Sequence, residues 1–517
     1  MISKSGRRLL TAVVLLMSIR SYAVSSLANN DPYPVYSAIY DPQMTTWEKE
    51  YLAGFRDCNC YDYEWFEFDA SVFFQKAQTG RNFAHERVFL GDLTGRWNIL
   101  ALLYGPRPAG TNFVNTPLGL AENSVFSNFF VEQNGGIPNP NIELLTTGNT
   151  ATYLLDDPLH QIGYVEVPIH YRKMGTRFQF GFHPFTDFGF TVQVGVSEIR
   201  QTVTGFIDAA VAANVAPCSI EPPADTVTCP PNTNFCNLIP TFTTTGYLVC
   251  DQSSPTTGDC TAAFCEIEQN LIDPAVLHTI FDQIGLDDCN FEETSFEDVR
   301  LFVWWRHIFP VNDGRDNCCW PGVLVVPSLE INGVIPTAKN RDRKKLFALP
   351  FGNDGFGSIG FDAGLALDFV ETVEISFHAG MSHFFGRDIN NYRLPTSDYQ
   401  SGIFPFATAV HVNPGNNFNF NAALWAYRFY DHFSAWAEWV YVKHEEDSIT
   451  LKDSSLNSLF LVRNAECTTK FISQFVNGSI SYEVSPNITI ALMGQFPVSQ
   501  RNAYRSTTWM GTFRAQF

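Results

Sequence analysis

Apolar and polar residues alternate with a period of two in several stretches of the chain. In the clearest of these, Tyr504–Phe517, one face carries Trp509, Phe513 and Phe517, whereas Arg514 and mostly polar neighbours occupy the other. This alternation is expected of a strand with one side against an apolar medium and the other against water. Because an unpaired strand would leave an open edge, we expect this one to close a sheet.

The same alternation recurs in four hairpins. Their tight turns, built mostly from residues that favour turns, are predicted at 184–187, 370–372, 430–432 and 485–487. Longer segments separate the strands, at 77–160, 204–298, 386–415 and 444–468. Short turns at one end and long loops at the other are typical of transmembrane β-barrels. A soluble β-sandwich can show the same alternation, so this asymmetry and the export signal described below favour the barrel.

Further strands are predicted at Trp65–Gln75 and Tyr164–Tyr171, with a less regular hairpin formed by Val299–Ile308 and Gly322–Ile331. We therefore predict an all-β fold over residues 63–517, a transmembrane antiparallel β-barrel of about 12 strands, roughly 10 to 14. Its turns on the periplasmic side are short, its extracellular loops are long and contain short helices, and both termini are periplasmic.

Two loop segments have a helical pattern. Asp273 and Pro274 precede Val276, Leu277, Ile280 and Phe281, as at the start of a short helix.

The segment Gly91–Tyr104 could form a helix folded into the lumen. A loop as long as 77–160 is expected to carry structure or function. It could constrict the lumen or decorate the surface.

The N-terminus is typical of a signal peptide. Basic residues precede the apolar segment Leu9–Ile19, and Ser21–Ala23 fits a cleavage site between small residues. The apolar segment is too short to span a membrane as a helix. We predict export, with 1–23 as the signal peptide and 24–62 as a periplasmic N-terminal segment.

The composition agrees with an exported barrel. Only 17% of residues are charged and 15% are aromatic, which argues against disorder and against a typical soluble α/β enzyme. The net charge is −20, and removal of 1–23 would leave 29 basic against 53 acidic residues. This excess of acid disfavours a nucleic-acid partner. If the acidic residues line the barrel interior, they would make it prefer cations. Alternatively, they only keep the exposed loops solvated.

The chain has 12 cysteines and no C-x-x-C pair, which argues against a zinc site. Because an exported protein can keep disulfides, we predict loop cross-links of unknown connectivity. The candidates lie in one stretch: Cys218, Cys229, Cys236, Cys250, Cys260, Cys265 and Cys289.

We predict no catalytic residues, no metal site and no cofactor. Gly355–Gly360 matches a dinucleotide-binding pattern, but an alternating strand follows it where a helix is required. His444–Glu446 opens a loop and is interpreted as a solvated charged tip. No nucleophile motif is present in the sequence, although an outer-membrane phospholipase or protease could assemble a site from distant strands.

The one basic cluster, Lys339–Lys345, falls in a predicted loop. It could bind lipopolysaccharide phosphates by charge, or it could be a solvated loop apex.

The remaining functional candidates are polar residues whose alternation points them into the barrel, where water in a wet lumen would solvate them. These candidate lumen-lining residues are Glu67, Asp69, Arg177, Gln179, Gln193, Asp362, Asp368, Glu374, His378, Glu438 and Arg514.

The amphipathic last strand ending in Phe517 resembles the C-terminal assembly signature of bacterial outer-membrane β-barrels. The resemblance implies the outer membrane of a diderm bacterium, contact with its lipid and insertion by the barrel-assembly machinery. The cysteine content is loosely similar to that of the major outer-membrane porins of chlamydial type, although no local motif is shared.

We accordingly expect a porin-like channel for passive diffusion of small hydrophilic solutes. The alternative is a surface-exposed envelope-structural or adhesion protein anchored by its barrel. A specific or lipid transporter and a barrel-bound enzyme are further possibilities, and homo-oligomerisation is left open.

Overall fold

The computed structural model describes residues 65–99, 164–185, 187–208, 274–311, 323–369, 373–396, 400–485 and 487–517. The predicted signal peptide, the N-terminal segment and all candidate disulfide cysteines except Cys289 lie outside these residues. Cys289 and Cys467 form no disulfide within the described part of the chain. The predictions of export and of disulfide cross-links therefore stay predictions.

The described chain is almost entirely strand. In chain order the elements are β1 (Phe66–Ala77), β2 (Thr79–Arg81), β3 (Arg87–Phe89), β4 (Trp97–Asn98), β5 (Tyr164–Glu166), β6 (Ile169–Phe185), β7 (Phe188–Val203), β8 (Ile207–Asp208), α1 (Pro274–Gln283), β9 (Phe291–Phe296), β10 (Val299–Arg306), β11 (Phe309–Val311), β12 (Val323–Ile335), β13 (Ser358–Phe369), β14 (Val373–Phe384), β15 (Arg387–Leu394), β16 (Phe406–Asn413), β17 (Asn417–Tyr430), β18 (Phe433–His444), β19 (Ser448–Leu451), α2 (Val462–Cys467), β20 (Phe471–Ser485), β21 (Ile488–Arg501), β22 (Ala503–Tyr504) and β23 (Thr507–Gln516).

Twelve of these strands form a closed antiparallel barrel, which confirms the predicted fold class and strand number. Around the ring the order is β1, β6, β7, β10, β12, β13, β14, β17, β18, β20, β21 and β23. The last strand returns to the first, with registers from Glu67↔Gln516 to Lys76↔Thr507. The sheet therefore has no open edge in the ring, as the alternating C-terminal segment predicted.

The two ends of the barrel differ as expected. Four hairpin turns fall between β6 and β7, β13 and β14, β17 and β18, and β20 and β21, at the predicted positions. All lie at one end, here called the short-turn end. Long connections lie at the other, the long-loop end. There, three small sheets add to the barrel, formed by β15, β16 and β19, by β22, β2 and β3, and by β4, β5 and β8.

The strands form because their alternation satisfies two surroundings at once. On the outer face Phe180 and Leu424 are 51% and 53% exposed, and Trp509 is 45% exposed. On the opposite face of the same wall Asp69 is fully buried. No helix of the described residues is both long and apolar enough to cross a membrane.

The sequence predictions were wrong at three places. Tyr164–Tyr171 is not a separate strand, because the chain from Ile169 onward belongs to β6, which runs on to Phe185. Gly91–Asn98 forms a 3-10 turn and a short strand instead of a helix, whereas Ile99 is helical and residues 100–104 lie outside the described part. The loop 204–298 ends early, because β9 pairs with β7 and extends the barrel wall.

The short helix was predicted correctly, and α1 begins at Pro274. It contributes Leu277, Ile280 and Phe281 to an apolar cluster at the long-loop end. This cluster, here called the mouth core, also contains Tyr171 and Ile199 from the barrel strands. Its buried members are Ala77, Leu90, Leu93, Trp97, Ile99, Val165, Val167, Ile169, Tyr171, Ile199, Leu277, Ile280, Phe281, Leu286, Phe291, Phe347, Ala348, Leu349, Phe351, Ile403 and Tyr504.

The mouth core covers one end of the barrel. Tyr171 and Ile199 lie on the same faces of β6 and β7 as the buried polar residues Arg177 and Gln193, so they point inward. Leu93 from the first long connection belongs to the same cluster. The described part of that connection therefore closes over the barrel opening.

Candidate functional site in the barrel interior and its mouth

All eleven candidate lumen-lining residues lie on the inner face of the barrel. Ten of them are at most 7% exposed, and the His378 side chain is 15% exposed. Water was expected to solvate these groups, but the structure surrounds them with other side chains of the interior. That they line a path for solutes stays a prediction.

One ion cluster lies at the seam between the first and last strands. Arg514 Nε is 2.9 Å from Asp69 Oδ1 and 3.1 Å from Glu67 Oε1. Gln179 Nε2 donates to Asp69 Oδ2 at 3.4 Å. Alternation places these groups on one face, and the antiparallel register brings them opposite each other.

A second ion cluster was missed by the sequence analysis. Glu297 lies between β9 and β10, where its Oε2 accepts from Arg177 Nε at 2.8 Å. Its Oε1 is 3.3 Å from Nζ of Lys173. Gly195 makes room for Glu297, since a Cβ there would lie 2.6 Å from the carboxylate. Glu297 had been assigned to a long loop, and local alternation gave no signal for it.

Gln193 joins this side of the interior, accepting at Oε1 from Arg300 Nη1 at 2.8 Å. Arg300 is buried on the inner face of the short strand β10. The arc from β23 through β1, β6, β7 and β10 thus carries Arg514, Lys173, Arg177 and Arg300. Both signs of charge occur on this arc.

The opposite arc, β13, β14, β17 and β18, is acidic. Asp362 Oδ2 accepts from Asn419 at 2.8 Å and its Oδ1 lies 3.4 Å from His378 Nδ1. Glu374 Oε2 accepts from Tyr427 at 2.6 Å.

On the same arc, Glu438 accepts from Asn421 at 2.7 Å and from Asn477 of β20 at 2.8 Å. Asp368 is fully buried. Among the described inner residues of these four strands there is no Lys or Arg, so charge is distributed unevenly around the lumen.

An apolar cluster also lies inside the barrel. Its members lie on β17, β18, β21, β23 and β1, which follow one another along the wall with only β20 between them. Met510 is the register partner of both Phe73 and Met493. Trp425 and Trp436 have ring centroids 5.2 Å apart, and the Arg177 guanidinium lies 4.7 Å from the Phe73 ring centroid. This lumen cluster consists of Phe73, Trp425, Tyr427, Trp436, Met493 and Met510.

The lumen cluster narrows the interior beyond what the sequence analysis anticipated. Its members are apolar residues at the alternate strand positions that face the lumen. The signal was present in the sequence as a break in alternation, for example where Phe73 precedes Phe74. Side chains filling a barrel interior leave less room for solutes than a lining of short polar groups.

The basic segment Lys339–Lys345 is only partly solvated. Lys339 and Lys344 are exposed, but Arg343 is 10% exposed and pairs with buried Asp354. Arg341, Arg343 and Lys345 line a cavity of about 100 Å³ beneath the mouth core. The interpretation of the whole segment as a solvated apex was therefore wrong for its arginines, and lipopolysaccharide binding by this segment stays a prediction.

His444 was also misread from the sequence. It is buried, stacks on Phe471 with centroids 5.0 Å apart, and contacts Asn417 Oδ1 at 2.7 Å. Its Nε2 is 3.2 Å from Asp447 Oδ1. Burial raises the pKa of Asp447 to about 6.

A second buried acid at the long-loop end is Asp92. Burial raises the pKa of Asp92 to about 7, against the opposing effect of the hydrogen bond from the Val167 amide. That bond is 3.0 Å long. The Asp92 carboxyl group thus links the first long connection to the segment between β5 and β6.

Among the described residues, one cluster offers three donor groups that could hold a metal ion, Asp287, Asp288 and Cys289. It lies at the surface, outside the barrel interior. Asp288 already contacts His278 at 2.6 Å, and a hydrogen bond to Asp287 raises the pKa of the Cys289 thiol. A raised thiol pKa disfavours the thiolate that a metal would need.

No family model and no curated protein matches this sequence. Among solved structures, an outer membrane channel of Pseudomonas putida F1 is 7% identical and aligns over 89% of this chain and 99% of its own, with a TM-score of 0.40. The translocator domain of the autotransporter NalP from Neisseria meningitidis is 6% identical, over 93% and 98% of the chains, with a TM-score of 0.29. The Ralstonia pickettii toluene transporter TbuX is 9% identical, over 88% and 90%, with a TM-score of 0.27.

These similarities are too low to carry an argument about function. The architecture rests on the strand pairing of this chain. A closed antiparallel barrel with apolar residues outside, polar residues inside, short turns at one end and long loops at the other is the architecture of outer-membrane β-barrel proteins.

Proposed function

We propose that this protein is an outer-membrane channel through which small solutes diffuse along a narrow lumen. One observation carries the proposal: the inner face of a closed barrel is lined by charged and amide side chains, while its outer face exposes Phe, Trp, Leu and Ile. An exposed apolar band of this kind needs a hydrocarbon surrounding. A polar interior is what a barrel needs in order to conduct hydrophilic solutes.

The bulky side chains on the inner face support a restrictive channel in preference to an open pore. The lumen cluster reaches from β1 to β17, and the mouth core covers the long-loop end. The arc from β23 to β10 carries ion clusters and lies opposite the acidic arc from β13 to β18. A solute would therefore pass through an electric field directed across the lumen. We therefore expect low conductance and a preference set by both size and charge.

The orientation follows from the barrel type. The long-loop end would face the outside of the cell and the short-turn end the periplasm. Contact with lipopolysaccharide, insertion by the barrel-assembly machinery at Phe517 and homo-oligomerisation belong to this proposal as well. No chemical step is part of it, and no cofactor is invoked.

The second candidate function is an envelope-structural or adhesion protein anchored by the barrel. It is favoured by the amount of folded structure at the long-loop end, where three small sheets stand outside the barrel ring and the mouth core joins loop residues to barrel strands. Segment 209–273 would then supply the contact with a partner, and the barrel would serve only as the anchor.

Single-channel recording of the purified full chain in planar bilayers tests the channel. We expect discrete conductance steps that are small for a barrel of 12 strands. A correctly folded protein that stays silent would rule the channel out. Deletion of 209–273 separates the two functions, because unchanged conductance with lost attachment to cells would assign attachment to that segment.

A further inference from the structure

We propose that the cavity beneath the mouth core is a binding site for a small organic carboxylate, with Arg341 as its principal contact. The proposal concerns the solute class of the channel, and its role in transport rests on the proposed function. The binding itself does not, because it can be measured without conductance.

The cavity has two kinds of wall. Apolar side chains, including Trp97, Phe347 and Leu349, form one part, and cationic side chains form the other. The cationic residues that line it are Arg341, Arg343, Lys345 and Arg393. A ligand that fits both walls carries a compact apolar body and a negative charge.

The size of the cavity limits the ligand. Its volume is about 100 Å³. An apolar cavity of about 150 Å³ holds benzene. The site therefore takes a molecule of roughly four to six heavy atoms, such as a short-chain carboxylate.

Cations outnumber carboxylates at the site, although the protein as a whole carries a net charge of −20. Two carboxylates lie next to these groups. Asp354 pairs with Arg343 and accepts from the Arg341 backbone amide. Asp287 forms a backbone β-bridge with Lys345. Arg393 instead donates to backbone carbonyls, at 2.9 Å to Ile284 and 3.1 Å to Gly285. A buried positive charge that faces only carbonyl oxygens still favours an anion nearby.

Arg341 keeps donor capacity for a ligand. Its side chain donates from Nη2 to the Leu346 carbonyl at 3.3 Å, and its buried Nε has no acceptor among the described residues. Burial lowers the pKa of Arg341 to about 10; the neighbouring charge of Arg343 acts in the same direction, and that of Asp354 opposes it. A bound carboxylate would accept from this planar group and offset the cost of burying it.

The apolar wall is rigid enough to select a shape. The rings of Trp97 and Phe347 are stacked with centroids 6.0 Å apart and planes inclined by 15°. Trp97 Nε1 donates to the Gly91 carbonyl at 2.8 Å, which fixes the indole. This wall favours an organic acid over a fully hydrated inorganic anion, because only the former can bury apolar carbon against it.

The cavity also adjoins the barrel interior. Ile169 of β6 and Gln201 of β7 line it from the inner face of the wall, and Gln201 donates to the Tyr504 hydroxyl at 3.3 Å. A carboxylate held there would stand at the long-loop entrance of the lumen, next to the arc that contains Lys173 and Arg177.

Saturation-transfer NMR on the full chain in detergent micelles tests the site, with butyrate as the probe and empty micelles as blank. We expect saturable butyrate binding and little binding of the neutral butyramide. Arg341→Gln should weaken butyrate binding by about tenfold, because it removes one charge-assisted contact. Arg200→Gln is the matched control, since Arg200 is half-exposed and pairs with Glu292 away from the cavity. It should bind butyrate like the unaltered protein.

Lys345→Gln is the second variant if Arg341→Gln does not fold, because Lys345 is exposed and lines the same cavity. It should weaken butyrate binding to a smaller extent. Equal binding of butyrate and butyramide, butyrate binding unaffected by either cavity variant, or saturation by inorganic phosphate alone would overturn the proposal. If butyrate does not bind but the protein conducts, the site fails and the channel stands. If butyrate binds but the folded protein does not conduct, the binding site stands and the channel fails.

Discussion

Arg514 Nε lies 2.9 Å from Asp69 Oδ1 across the seam where the last barrel strand meets the first. The two residues are register partners, and both side chains are buried on the inner face. Glu67 Oε1 lies 3.1 Å from the same nitrogen. Ring closure is thus supported by a buried ion cluster in addition to the backbone ladder.

Replacing Arg514 by Gln should destabilise the barrel by about 3 to 5 kcal/mol, because two carboxylates would remain buried without their cation. The measurement is the free energy of unfolding in urea from lipid vesicles. Arg428→Gln is the control, since it breaks the exposed Arg428–Glu483 pair and should cost at most about 1 kcal/mol. Equal losses in the two variants would contradict the role given to the seam.

The lumen cluster should control conductance. Trp436 points into the lumen cluster, whereas Trp439, three residues along the same strand, is 37% exposed on the outer face. Trp436→Ala should raise single-channel conductance because it removes a ring from the interior, and it should cost about 3 to 5 kcal/mol of stability. Trp439→Ala should leave conductance unchanged. A rise in the second variant and not in the first would reverse the assignment of faces.

The barrel could be predicted from the sequence because its signal is local and repeated. Each strand must satisfy lipid on one side and polar groups on the other, so alternation appears in the residues themselves, as in Tyr504–Phe517. Turn residues at 184–187 and 485–487 marked where strands reverse. The same alternation placed the eleven candidate residues on the inner face.

The contents of the interior and mouth could not be predicted in this way. Glu297 acquires its partners Lys173 and Arg177 only through strand pairing over long distances in the chain. Arg341 lies in a charged run whose local pattern resembles a solvated loop, and only packing of the loops places it against a cavity. Such contacts depend on the three-dimensional arrangement and leave no periodic trace in the sequence.

Gly189 leaves room for a ring inside the barrel. A Cβ at this position would lie 1.8 Å from the Trp304 ring, its register partner on β10. Gly189→Ala should therefore displace Trp304 and destabilise the barrel by about 1 to 3 kcal/mol. Gly333→Ala, whose Cβ would meet its nearest atom only at 3.7 Å, is the control. Urea unfolding of both variants checks this, and two equal midpoints would contradict the packing described.

Asp92 should make stability depend on pH. Its folded pKa of about 7 exceeds the ordinary value of 3.8, so between these values the folded state holds a proton that the unfolded state has lost. Stability therefore falls as pH rises through this window and levels off above it. From pH 5 to pH 8 the contribution amounts to roughly 2 to 3 kcal/mol.

Asp92→Asn should remove this part of the pH dependence, because the amide oxygen can still accept from the Val167 amide and carries no charge. The measurement is the free energy of unfolding of both proteins at pH 5 and pH 8. The variant should gain stability relative to the unaltered protein mainly at pH 8. An equal gain at both values would show that Asp92 does not titrate in this range.

Quenching of tryptophan fluorescence by bromine on lipid acyl chains tests the central claim most directly, namely that the outer face contacts hydrocarbon and the inner face does not. Bromine quenches at short range, so in brominated vesicles it should quench Trp439 and not Trp436. The fraction of tryptophan emission that is quenched should therefore be lower in Trp439→Phe than in the unaltered protein. In Trp436→Phe that fraction should be higher, because an unquenched tryptophan has been removed. The opposite pattern, or emission that the brominated lipid does not quench at all, would contradict the account.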